Sequence, residues 1–107
     1  MTWTVEILDE VRKELNALPR DMQAKFEHIV TLIREFGLER VHEPYIKHLD
    51  GRLWEMRMKG RDGISRALYV TVREKRVVVV RVFVKKTQKT PRREIELALT
   101  RAKEIEQ

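Results

Sequence analysis

Apolar and polar positions follow different periods in different parts of the chain, and the changes mark its elements. Trp3, Val5 and Ile7 alternate with Thr4 and Glu6, the two-residue period of a short strand. Val11, Leu15 and Leu18 then recur at helical spacing, and Pro19 ends that helix. Asp21 is placed to cap a longer helix whose Met22, Phe26, Ile29, Ile33 and Phe36 share one face, and Gly37 sits where such a helix stops. "HEPYIKHLDG" reads as irregular, with Pro44 inside it and a turn signal at Asp50-Gly51. Beyond it the period returns to two. "RLWEMRM" puts Trp54, Met56 and Met58 on one face and Leu53, Glu55 and Arg57 on the other. "KGRDG" turns the chain, "ISRALYVTV" runs back, "REKR" turns it again, and "VVVVRVFV" forms a third strand. That strand is nearly all apolar, as expected of a central strand covered on both faces, with Arg81 its one interruption. Pro91 suits the first position of a last helix, whose Ile95, Ala98, Leu99, Ala102 and Ile105 form a stripe.

The predicted order is therefore β-α-α-β-β-β-α, an α+β fold in which an N-terminal strand and a helical hairpin pack on an antiparallel sheet. A length of 107 residues and 42% hydrophobic content suit one domain over residues 1–107 with a single small core. With no cysteine, disulfides, thiolate zinc sites and cysteine nucleophiles are excluded. The acids near the N-terminus rule out a signal peptide or membrane span there, so the expected location is cytoplasmic.

Charge changes the picture more than composition does. The net charge is +6, but Arg52 to Arg93 holds 14 basic side chains against three acidic ones, a net +11. Such a one-sign block repels itself and attracts a polyanion such as nucleic acid or an acidic partner. There is no Gly-rich phosphate loop, no nucleophile elbow, and no histidine pair at metal-binding spacing, since His28, His42 and His48 are scattered. No metal or cofactor is expected. His28 reads as a helix-surface residue, whereas His48, just ahead of the meander, could move protons near neutral pH.

The candidate chemistry lies in the basic meander. Arg66 alternates with apolar Ile64, Leu68 and Val70, so its guanidinium is partly desolvated and needs an anion, either Glu55 on the adjacent strand or a phosphate. Arg57 shares the polar face of its strand with Glu55, and Lys85, Lys86 and Lys89 cluster at the end of the last strand. Tyr69 falls opposite Arg66 by strict alternation and reads as a packed tyrosine unless a bulge intervenes. If the polyanion is RNA, the 2′-hydroxyl can attack its own phosphate. That needs a base, cations for the phosphorane and an acid for the leaving 5′-oxygen. Crowding among Lys85, Lys86, Lys89, Arg57 and Arg66 favours a neutral lysine, and Glu55 competes with lysine as the base.

Three stretches carry a resemblance. "KHLDGRLWEMR" has the pattern K-x-L-x-x-x-L-W-E-x-R, "GISRALY" the pattern G-x-x-R-x-x-Y, and "FVKKTQKTP" the pattern F-x-K-K-x-x-K-T-P. Together and in this order they resemble toxins of the RelE/ParE superfamily in type II toxin-antitoxin systems, most closely the phage-derived, HigB-like branch. The resemblance implies a ribonuclease that cuts messenger RNA, commonly in the A site of the 70S ribosome, without metal. It also implies a cognate antitoxin partner, in this branch usually a helix-turn-helix, HigA-like protein. Carried over by motif, Arg66 would stabilise the phosphorane and Lys86 would be a second catalytic cation, with Lys85 and Glu55 completing the catalytic set. Arg57, Lys89, Lys47, Tyr69 and His48 would contact the RNA. Relatives often end the last strand in a histidine or tyrosine that transfers protons; this chain has neither there, which leaves a lysine, Glu55 and His48 as candidate bases. Two other readings are a ParE-like gyrase inhibitor, which shares the fold, and a binding module without catalysis.

Overall fold

The computed structural model describes residues 2–42, 44–85 and 89–105. Its strands are β1 (Thr4–Ile7), β2 (Ile46–Asp50), β3 (Leu53–Gly60), β4 (Gly63–Val72) and β5 (Arg76–Lys85), and its helices are α1 (Asp9–Asn16), α2 (Arg20–Phe36) and α3 (Arg92–Ala102). The strands form one sheet in the order β1-β5-β4-β3-β2. Strands β2 to β5 are an antiparallel meander, and β1 returns to lie parallel to β5.

Alternation along the strands sorts their side chains onto two differently covered faces. On one, Val11 and Leu15 of α1 and Met22, Phe26 and Ile33 of α2 pack onto Met56, Met58, Ala67 and Tyr69. On the other, α3 lays Ile95, Ala98 and Ala102 over Leu53, Leu68, Val70 and Phe83. The sheet is thus a shared wall between two apolar clusters, which accounts for the unbroken valines of β5: Val77, Val78, Val79 and Val80 are all buried, on alternating sides.

A bulge lies at the middle of β5. Leu68 pairs with Arg81 but Tyr69 pairs with Val79, so Val80 is an extra residue in the ladder. Before the bulge Val77 and Val79 join the α1/α2 cluster; after it Val82 does, and Phe83 joins the α3 cluster. The extra residue therefore turns Phe83 and Lys85 to the α3 side, opposite Arg66 and Ile64.

Several sequence expectations need correction. The stretch expected to be irregular contains β2, an edge strand paired with β3; a register shift between His48 and Asp50 spaces its buried Ile46 and half-buried Leu49 three apart and conceals the alternation. Phe36, expected on the buried face, is 58% exposed in the last turn of α2, just before Gly37 (φ 89) ends the helix. Asp21 makes no cap bond; Pro19 holds that position, and the Asp21 Oδ2 instead accepts the Arg61 backbone N–H at 2.6 Å. Pro91 precedes α3 rather than beginning it, and its carbonyl accepts the Glu94 N–H at 3.0 Å.

The Asp21–Arg61 bond fastens the first turn of α2 to the β3–β4 hairpin, and Gly60 makes that approach sterically possible. A Cβ at Gly60 would lie 2.8 Å from both the Asp21 Oδ2 and the Met22 Cγ, and Met22 is buried. Gly60→Ala should therefore destabilise the fold by about 1–3 kcal/mol, lowering the urea midpoint; an unchanged midpoint would show that α2 does not bear on the hairpin.

Candidate active site

Two clusters of charged side chains flank β5, and their charge balance separates them. In the first, Arg81 pairs with Glu94 at 2.6 Å and Glu14 at 2.7 Å, and Arg101 pairs with Glu14 at 3.0 Å. Glu14 also accepts the Val82 N–H at 3.0 Å, and Arg101 donates to the Val80 carbonyl at 2.9 Å. Two arginines and two glutamates neutralise each other, and Glu94 and Glu14 raise the Arg81 pKa. This cluster pins α1 and α3 to the part of β5 that continues past β1, and it needs no ligand.

The second cluster is unbalanced. Glu55 of β3 is 1% exposed, and its carboxylate organises the cations around it. The Oε2 accepts from the Arg57 Nε at 3.1 Å and from the Arg66 Nη1, and the Oε1 accepts from the Thr90 hydroxyl at 3.1 Å. Register produces this arrangement, since Arg57 stands directly across from Arg66 and Glu55 directly across from Lys47. Lys85 enters from β5, next to Phe83, which faces Arg66. One carboxylate thus stands among Arg57, Arg66, Lys85 and Lys47. Helix α3 covers Leu53 and Leu68 on the same face.

The shortage of anions has visible consequences. The Lys85 Nζ and the Arg66 Nε are buried and find no hydrogen-bond partner among the described residues. Burial lowers the Lys85 pKa below its ordinary 10.5, and the charges of Arg66, Arg57 and Lys47 push it the same way, against the pull of Glu55. Arg66 is 6% exposed, and burial is likewise the largest cause of its lowered pKa. Buried cations without full partners are costly, and an anionic group reaching Arg66 and Lys85 together would relieve that cost.

The structure brings together Glu55, Arg57, Arg66 and Lys85, with Lys47 at the rim, and it keeps others apart. Tyr69 lies on the α1/α2 face, 1% exposed, and burial pushes its hydroxyl pKa up; the bulge shifts β5 rather than Tyr69, which stays on the side away from Arg66. His48 pairs with Trp54 rather than with Glu55 and so leaves the sheet on the other side, away from Arg66. Lys89 is exposed beyond β5. Lys86 lies outside the described residues. Thr90, which bonds Glu55, stands inside the K-T-P motif, but nothing in the sequence singles it out as a site residue.

Comparison with known proteins follows the same lines. The family described as "Phage derived protein Gp49-like (DUF891)" matches residues 13–103. No curated protein matches the chain. Among solved structures, a mutant of the Escherichia coli toxin RelE in the free state superposes with a TM-score of 0.66 at 17% identity, covering 94% of this chain and 98% of that one. The toxin–antitoxin complex RelBE2 from Mycobacterium tuberculosis gives 0.57 at 22% identity, over 79% of this chain and 100% of its own. An archaeal RelE–RelB complex from Pyrococcus horikoshii OT3 gives 0.57 at 23%, over 78% and 96%. The fold is that of RelE.

The unpaired amine predicts a stability effect with a definite pH dependence. Because the folded state disfavours protonated Lys85, its cost is complete below the lowered folded pKa and vanishes above the unfolded value of 10.5. Lys85→Met should stabilise the protein by about 1 kcal/mol at pH 7 and by clearly less above that value. Denaturant midpoints at both pH values check this, and equal gains at both would refute it.

Proposed function

The chain belongs to the Gp49-like family of phage-derived proteins, and from that premise we propose that it is the toxin of a type II toxin-antitoxin pair, of the HigB-like branch, and a metal-independent endoribonuclease. The observation that carries this reading is the buried Lys85 amine beside Arg66, which finds no hydrogen-bond partner among the described residues, in a cluster where those residues supply a single carboxylate. A site that only held a protein would not need a buried proton carrier next to a phosphate-sized group of arginines.

The roles follow from chemistry and position. A phosphate entering the cluster competes with Glu55 for the Arg66 guanidinium and, once bound, releases one oxygen of that carboxylate. Glu55 then takes the proton of the 2′-hydroxyl, whose oxygen attacks phosphorus. Arg66 and Arg57 carry the added charge of the phosphorane, a task for which the planar guanidinium is suited. Lys85, its pKa lowered by burial and neighbouring cations, gives its proton to the departing 5′-oxygen. The products are a 2′,3′-cyclic phosphate and a 5′-hydroxyl, and solvent returns a proton from Glu55 to Lys85. Thr90, by holding the Oε1 of Glu55, positions the base without touching substrate. Lys47 and Lys89 draw in the flanking phosphates, and Lys86 is the second catalytic cation that the motif implies.

In this reading the substrate is messenger RNA, cut in the ribosomal A site in the cytoplasm, and the partner is a helix-turn-helix, HigA-like antitoxin. The likeness to RelE, and to RelE proteins solved together with RelB, supports a toxin held by an antitoxin.

Expression of the wild-type chain should arrest growth and create new 5′ ends within transcripts, mapped by primer extension. Arg66→Ala should lower cleavage by ~10² to 10³-fold, the typical effect of losing one positioned charge-stabilising donor. Growth arrest with intact transcripts would instead favour gyrase inhibition. The pH profile tests the acid. Lys85 must keep its proton, so the rate should fall as pH rises through its lowered pKa, with the descending limb below 10.5. Lys85→Arg should remove that limb, and a limb retained in the variant would assign the acid elsewhere.

A further inference from the structure

On the far side of the edge strand from Glu55, three aromatic or imidazole rings and a lysine line a cleft that the proposed chemistry leaves unused. Trp54 is 39% exposed, although its strand neighbours Leu53, Glu55 and Met56 are all buried. His48 meets it edge-on, with ring centroids 4.9 Å apart and planes at 64°. The His48 ring is itself fixed, since its Nε2 donates to the Gly51 carbonyl at 2.7 Å. These two rings, with His42, Ile46, Val41 and Lys47, border a shallow cleft of about 400 Å³. No carboxylate lines it among the described residues.

Lys47 connects this cleft to the candidate active site. It lines the cleft, yet it stands directly across from Glu55 and its charge acts on Lys85. Consecutive residues of β2 therefore serve both faces at the sheet's edge: Lys47 opposite Glu55, His48 opposite Trp54. A polyanion held at Arg66 and Lys85 can cross that edge over Lys47 and meet an exposed indole immediately beyond. A flat, half-open aromatic surface continuous with a cationic path is what a nucleobase requires for stacking.

We propose that Trp54, braced by His48, is a stacking platform for an unpaired nucleobase of the RNA strand whose phosphate occupies the Arg66–Lys85 cluster, with Lys47 holding the backbone between the two. This inference rests on RNA being the substrate. Every base has an aromatic face, so the platform adds affinity and alignment with little choice of base. It also orients the 2′-hydroxyl, because a strand tethered on both sides of the scissile phosphate has fewer ways to lie across it.

The test uses the purified full chain and short single-stranded oligoribonucleotides made uncleavable by 2′-O-methylation, with binding followed by fluorescence anisotropy. A matching oligomer that is abasic at successive positions retains the phosphates and loses the rings. The wild type should bind the base-bearing strand about tenfold more tightly than the strand abasic at the platform position. Trp54→Ala should remove that difference, and Trp54→Phe should retain most of it. Equal wild-type affinity for base-bearing and abasic strands would overturn the proposal, and it needs no variant to fold. So would Trp54→Ala and Trp54→Phe binding both strands as the wild type does, including the case where the substitutions weaken a protein partner instead. A wild type that cleaves RNA yet shows no base dependence sinks the platform alone; one that neither binds nor cleaves RNA sinks the nuclease reading with it.

Discussion

A carboxylate that is 1% exposed cannot remain charged in a protein interior without close partners, and the partners of Glu55 decide how this end of the molecule is built. Its two oxygens draw together Arg57 of its own strand, Arg66 of the next and Thr90 from the segment leading into α3. In doing so Glu55 aligns two guanidiniums that would otherwise repel each other directly across a strand pair. One negative charge is not enough for the cations present. The excess falls on Lys85, whose amine is buried without a hydrogen-bond partner among the described residues and holds its proton less tightly than a lysine in water. The same shortage of anions makes the cluster costly for the folded chain and, in the function proposed, receptive to a phosphate.

The rest of the architecture delivers those side chains. The sheet is buried on both faces, so the side on which a strand residue emerges decides whether it reaches the core, the site or the solvent. The extra residue at Val80 sets this for β5, giving Val82 to the α1/α2 side and bringing Lys85 over beside Arg66. Helix α3 covers the apolar half of that face, and the balanced Arg81–Glu14–Glu94–Arg101 cluster fastens it there. Trp54 shows the same logic at the edge: one residue from Glu55, it points the other way and is left half-open because only a short strand lies beyond it.

Much of this was legible from the residues. An arginine alternating with Ile64, Leu68 and Val70 had to be buried and had to find an anion, and Glu55 on the neighbouring strand was the nearest candidate; the structure pairs them. The two-period pattern placed Leu53, Glu55 and Arg57 on one face and Trp54, Met56 and Met58 on the other, as found. What escaped were features that break the period. The register shift in β2 hid a strand, and the face on which Lys85 emerges depends on a bulge that no residue type in a run of valines announces. Thr90 was invisible for a different reason, since its partner lies 35 residues earlier and a threonine before a helix has a sufficient local explanation.

The central claim is that this Glu55-organised cation cluster breaks RNA through its own 2′-hydroxyl. Mass spectrometry of fragments produced when the purified protein meets messenger RNA on translating ribosomes reads that chemistry directly. The account predicts upstream fragments ending in a 2′,3′-cyclic phosphate, downstream fragments beginning with a 5′-hydroxyl, and no cutting where the preceding sugar is 2′-deoxy. Fragments bearing a 5′-phosphate, or cleavage at a deoxy position, would contradict it.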